Sequence, residues 1–157
     1  MPYLQFDGES AAFPLTVDVV GGQKLGEVVD PQVRTLVAPG PMTVHVEKRK
    51  VFLDTTFGPF TLALGQSRRL TLPGITTASI SMLPLSKAYV GLSVTIDGSV
   101  LGGPYPKRSV GIAASKHRIS IKWPEGDVPE QSLDLTGRSQ VAIQVNPESV
   151  GEKVTIQ

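Results

Sequence analysis

The sequence predicts an all-β protein made of two tandem small antiparallel β-sandwich units with extended terminal arms. Three observations predict it. Sixteen glycines and thirteen prolines punctuate 157 residues, which leaves little room for long helices. Between them run short period-two alternations of apolar, often β-branched residues, the pattern of strands with one buried and one solvated face. Those alternations recur in the same order in both halves of the chain, as an internal repeat does.

Taken in order, Tyr3-Leu4-Gln5-Phe6 before the Asp7-Gly8 turn reads as a short edge strand within an N-terminal arm, residues 1–14. A first β-unit spans 15–72. Its strands are Leu15-Thr16-Val17-Asp18-Val19, Met42-Thr43-Val44-His45-Val46-Glu47, Phe60-Thr61-Leu62-Ala63-Leu64 and Arg69-Leu70-Thr71-Leu72. Residues 73–91 read as a linker in which Thr77 to Leu83 forms a bridging strand. A second unit, 92–145, holds Leu92 to Asp97, His117 to Trp123, Ser132 to Leu135 and Gln140 to Val145. The remainder, 146–157, carries a C-terminal edge strand from Lys153 to Gln157. Either end can close a sheet of its own chain or add to a neighbour's edge.

The two copies superpose with a slowly shrinking offset: 77 at Leu15 and Leu92, 75 at Val44 and Ile119, 71 at Leu62 and Leu133. Small deletions suffice to keep register. Each unit is small enough that a core of its own is marginal, so the units are expected to pack on each other or on a partner.

A pattern of residue types carries a resemblance. Val94-Thr95-Ile96-Asp97-Gly98 is followed by Leu101-Gly102, a proline at 104 or 106, Lys116-His117-Arg118-Ile119-Ser120-Ile121 and Pro124-Glu125-Gly126. In this pattern the second unit resembles the PEGA domain, a small β-sandwich module of cell-envelope and surface-layer-associated proteins. It departs at Ser115, where a glycine is usual, and at Asp127, where an aromatic is usual. The first unit has Pro39-Gly40 at the former place but Gly21-Gly22 where Asp-Gly belongs. The resemblance implies Ig-like or PEGA-like sandwiches with no catalytic residues to carry over.

Composition narrows the function classes. Hydrophobic residues make up 40% and charged residues 18%, enough to bury a core. Fifteen Lys+Arg against fourteen Asp+Glu give a net charge of +1, so no global field steers the chain to nucleic acid or anionic lipid. Without cysteine there is no disulfide framework, zinc ribbon or thiol nucleophile. The N-terminal residues lack the features of a secretory signal, and no run reaches the roughly 18 apolar residues of a membrane span. The chain reads as soluble, with no membrane insertion and an undetermined compartment; a virion or cell surface would be reached as part of an assembly.

Local motifs yield little chemistry. Asp54-Thr55-Thr56 has Thr56 where the Asp-Thr-Gly of aspartic proteases needs glycine, and it occurs once, so Asp54 is expected on a strand or turn facing solvent. His45 and His117 occupy different repeat positions. His45 alternates with Val44 and Val46 and should point outward, and no HxH, HxxxH or HExxH spacing or calcium-type acidic loop exists. Gly98 to Gly103 is glycine-rich but lacks a P-loop's Gly-Lys-Ser/Thr ending, and there is no G-x-S-x-G elbow. The expectation is therefore no catalytic residue, no cofactor and no metal ligand. Trp123 runs in phase with Ile119 and Ile121, which predicts burial and weakens Tyr89, Tyr105 and Trp123 as a sugar platform.

Basic residues cluster at Lys48-Arg49-Lys50, Arg68-Arg69, Lys107-Arg108 and Lys116 with Arg118. Sparse aromatics supply no base-stacking platform, so nucleic acid is not an expected partner. The expected function is a non-enzymatic structural or interaction protein that decorates or stabilises a larger assembly through strand arms and loops. Its partners would be protein subunits, its own copies among them. The residues expected to make contact are Tyr3, Leu4, Phe6, Lys48, Arg49, Lys50, Lys107, Arg108, Val154 and Ile156. The alternative is an accessory module binding a glycan or an anionic ligand.

Overall fold

In the computed structural model, which describes residues 1–157, nearly every apolar alternation of the sequence is a strand. The first unit, Met1–Ile75, contains β1 (Tyr3–Asp7), β2 (Leu15–Val19), β3 (Lys24–Val28), β4 (Thr35–Leu36), β5 (Gly40–Lys48), β6 (Leu53–Leu62) and β7 (Ser67–Thr71). They make two sheets, ordered β3-β2-β5-β6 and β4-β1-β7. The alternation of β5 shows why: Met42, Val44 and Val46 are buried, while Thr43, His45 and Glu47 stand on the opposite, partly exposed face.

The second unit, Thr76–Gln157, repeats this plan. Its strands are β8 (Ile75–Met82), β9 (Ser93–Ile96), β10 (Ser99–Leu101), β11 (Lys107–Ala113), β12 (Lys116–Lys122), β13 (Val128–Asp134), β14 (Gln140–Val145) and β15 (Val154–Ile156). The sheets are β10-β9-β12-β13 and β11-β8-β14-β15, so β1 to β7 correspond one by one to β8 to β14. Register agrees with the offsets read from the sequence. Val17 faces Val46 and Val94 faces Ile121, keeping 77 and 75. Farther on, Leu62 faces Gly40 while the Leu135 N–H donates to the Ser115 carbonyl at 3.0 Å, so Leu62 corresponds to Leu135 rather than Leu133.

Two expectations need correction. The N-terminal segment is not an arm: β1 is the central strand of its sheet, parallel to β7 from Tyr3–Ser67 to Asp7–Thr71, and Leu4 and Phe6 are fully buried. Nor is 73–91 simply a linker, since β8 is a central strand of the second unit, parallel to β14, with Ala78, Ile80 and Met82 buried. The physical reason is the same in both. A strand with a fully apolar inner face is stabilised by covering the last open side of the core, and its partner lies more than sixty residues away. The C-terminal strand is an edge as expected: β15 lies antiparallel on β14.

The hairpins show how turn chemistry differs between the copies. Asp97 (φ 50°) and Gly98 (φ 80°) form the two-residue β9–β10 turn, both central residues in the left-handed region that a type I′ turn demands. The matching β2–β3 loop is longer. It runs through Gly21 (φ 72°), and Val19 N–H donates to the Gln23 carbonyl at 2.8 Å.

Candidate functional site

The outer face of β2-β5-β6 carries a group of titratable side chains that includes His45, Glu47 and Asp54. His45 sits at the centre because it is out of phase with the buried Val44 and Val46. Asp18 on β2 stands directly opposite it, and its Oδ1 lies 2.9 Å from His45 Nδ1. Across the other side, β6 brings Asp54 Oδ1 to 2.7 Å from His45 Nε2. Asp54 is paired in register with Glu47, two residues along from His45 and therefore on the same face. One imidazole and three carboxylates thus meet across three adjacent strands.

Bonding to two carboxylates favours the imidazolium. The hydrogen bond to Asp18 is the main cause that raises the His45 pKa above its ordinary 6.5; partial burial opposes it, and the bond and charge of Asp54 add to it. The side chain of His45 remains 24% exposed, so ions and protons reach it from solvent.

Next to this row the basic cluster forms the wall of a depression of about 550 Å³ lined by Pro14, Thr16, Glu27, Glu47, Lys48, Arg49 and Lys50. One of its three cations is ion-paired. Lys48 Nζ donates to the Phe13 and Ala11 carbonyls, and Arg49 Nε donates to Glu47 Oε1 at 2.8 Å. Lys50 is exposed.

The second unit places its histidine on the inner side. His117 is buried, with Nδ1 at 2.6 Å from Asp97 Oδ2 and Nε2 at 2.7 Å from the Ala113 carbonyl. Asp97 also accepts the Arg118 backbone N–H at 2.8 Å, so one carboxylate ties the turn to β12. A second depression, about 530 Å³, lies over this point between Lys116, Arg118, Ser132 and Asp134. There the hydrogen bonds of Thr136 hold the Asp134 carboxyl below its ordinary value.

The chain matches no family model and no curated protein sequence.

Of the ten residues expected to make contacts, the structure brings Lys48, Arg49 and Lys50 together on one rim. Lys107 is exposed, and the Arg108 guanidinium Nε bonds the Gly102 carbonyl. Tyr3 is half-buried with the Arg34 guanidinium 5.0 Å from its ring centre, and Ile156 is half-buried on β15. Leu4, Phe6 and Val154 are corrected: they are core residues, because their phase in β1 and β15 turns them inward. Trp123 is buried as its phase requires, its indole N–H bonded to the Val90 carbonyl and its ring 5.2 Å from that of Tyr89. Tyr105, whose hydroxyl donates to the Leu101 carbonyl, has its pKa pushed up to about 12 by burial. Asp54 faces solvent on its strand, as expected. The grouping of His45 with Asp18, Glu47 and Asp54 corresponds to no contiguous motif in the sequence. Its one sequence signal is His45-x-Glu47, two polar residues on one strand face.

Proposed function

We propose that this chain is a non-enzymatic structural and interaction protein, a tandem β-sandwich module that decorates or stabilises a larger assembly such as a viral capsid or tail surface or a cell-surface layer. The observation that carries this reading is an unequal edge. In the second unit β15 covers the outer side of β14; in the first unit β7, the counterpart of β14, has no strand beyond it. An uncovered strand presents unpaired N–H and C=O groups, and a segment from another subunit can complete it by main-chain hydrogen bonds. The occupant is an extended strand of a neighbouring subunit, laid antiparallel on β7 as β15 lies on β14. Another copy of this chain is one such neighbour.

The side chains of the edge set its selectivity. Arg68 and Arg69 are exposed, with Arg69 paired to Asp7 at 2.6 Å and Arg68 over the Phe60 ring at 4.5 Å. A segment bearing carboxylates is favoured beside them, and a basic one is rejected. The resemblance of the second unit's residue pattern to a cell-envelope module supports the assembly context by analogy.

Light scattering on the full chain over a range of concentrations, read together with amide hydrogen exchange, tests the proposal. The expected result is association that slows exchange at residues 67–71 while the amides of β14 stay unchanged. A strict monomer at every concentration, with rapid exchange at 67–71 in the presence of purified assembly, would move the reading to an accessory module that binds an anion or glycan.

A further inference from the structure

We propose that the outer face of β2-β5-β6 is a binding site for one divalent transition-metal ion of the zinc class, independent of the edge at β7. The ligands are His45 Nε2, one Asp54 oxygen and one Glu47 oxygen, with Asp18 holding the proton on His45 Nδ1. The three ligand atoms all lie within 4.8 Å of one another. Atoms bound to a common ion at about 2.0–2.2 Å are roughly 3–4 Å apart, so small side-chain rotations complete the site.

Three features of the strands make this more than a group of surface charges. His45 and Glu47 share a face by their two-residue spacing, and Asp54 is fixed opposite Glu47 by register, so the ligands stand on paired backbone rather than on loops. Asp18 occupies the place of the outer carboxylate that metal-bound histidines use to fix ring and tautomer: it accepts the Nδ1–H bond, so that once the Nε2 proton leaves, the Nε2 lone pair faces Asp54 and Glu47. The second unit supplies the contrast. Where register aligns the copies, Thr95, Ser120 and Lys122 replace Asp18, His45 and Glu47, so neither sheet architecture nor solubility requires the acidic-imidazole group.

The donor set selects the ion. One imidazole nitrogen and two carboxylate oxygens suit Zn²⁺, Co²⁺ or Ni²⁺; Ca²⁺ requires six to eight oxygens and is excluded by number. Glu47 Oε1 is engaged by Arg49, which leaves Oε2 for the metal. Water fills the remaining position, since the face is open to solvent. Binding displaces the Nε2 proton from the doubly bonded imidazolium, so metal and proton compete for one atom.

The test is titration of the full chain with Zn²⁺ alone, in competition with a chromophoric chelator, and with Co²⁺ as a visible-absorption probe. One equivalent binds. His45→Gln lowers affinity at least about 100-fold and Asp18→Asn about 10- to 100-fold, the range usual for an outer carboxylate. Surface substitutions Glu130→Gln and Glu152→Gln leave it unchanged. Absence of saturable binding at about 1 mM Zn²⁺, or binding unaltered in both His45→Gln and Asp54→Asn, overturns the site. Should a variant fail to fold, ring-nitrogen NMR of the unaltered chain decides: a Zn²⁺-induced shift at His45 Nε2 supports the site, and one confined to His117 overturns it.

Discussion

The two units contain one histidine each, and the same strand of the shared plan puts them on opposite faces. His117 on β12 points inward, buried against Asp97 and the Ala113 carbonyl. On β5, the counterpart of β12, His45 points outward between Asp18 and Asp54. Inward positions are constrained by packing, so a polar side chain there must have its bonds supplied by neighbours, and His117 reads as part of the fold. Outward positions carry no such demand. The polar row around His45 is therefore a feature added to the first unit alone, and functional expectation concentrates there and at the uncovered edge of β7.

The largest effect that bears on this comparison concerns the paired central strands. Phe6 faces Leu70 on β7, and Ile80 faces Ile143 on β14; both are fully buried. Phe6→Ala should destabilise residues 1–75 by about 3–5 kcal/mol and Ile80→Ala should destabilise residues 76–157 by about 2–5 kcal/mol. Deleting 1–8 should abolish amide protection through the first unit, because it removes a central strand. Hydrogen exchange resolved by residue reads all three. If the deletion left protection of β2, β5 and β6 intact, β1 would be a dispensable arm after all and the equivalence of β1 with β8 would fail.

What could be read from the sequence follows the range of the interactions. Alternation is local, so the strands around Val17, Val44, Ile119 and Ile143 and the repeat offsets of 77 and 75 were legible. The pairing of β1 with β7 and of β8 with β14 was not, because nothing within a strand names a parallel partner more than sixty residues off. That is why Leu4 and Phe6, apolar residues close to a terminus, read as contact residues instead of core. The same limit hid the His45 row. Its spacing is legible within β5, but Asp18 and Asp54 reach it only through cross-strand register.

An intermediate effect separates the two hairpins. Asp97 closes the β9–β10 turn and satisfies both His117 and the Arg118 N–H, whereas the longer β2–β3 loop has no corresponding carboxylate-to-histidine tie. Asp97→Ala leaves the buried imidazole without a partner at Nδ1 and should cost about 1–3 kcal/mol in chemical denaturation. In the first unit, Val20→Ala alters only an exposed loop side chain and should shift stability by less than about 0.5 kcal/mol. Equal effects of the two would mean that the Asp97–His117 bond contributes nothing measurable to stability.

The smallest effect is one of pH, and it concerns the outward histidine, His45. The folded-state pKa of His45 is raised above 6.5, chiefly by its bond to Asp18. A group raised in this way contributes its stabilisation fully below the unfolded value of 6.5, and loses it as pH rises through the folded value. Unfolding of the first unit should accordingly become slightly easier as pH rises above 6.5 through the folded-state value in metal-free buffer. Asp18→Asn should flatten that dependence and lower the His45 titration midpoint seen by NMR. A midpoint at or below 6.5 in the unaltered chain would mean that Asp18 and Asp54 do not hold the imidazolium in solution, and the outward face would lose its distinction from the second unit.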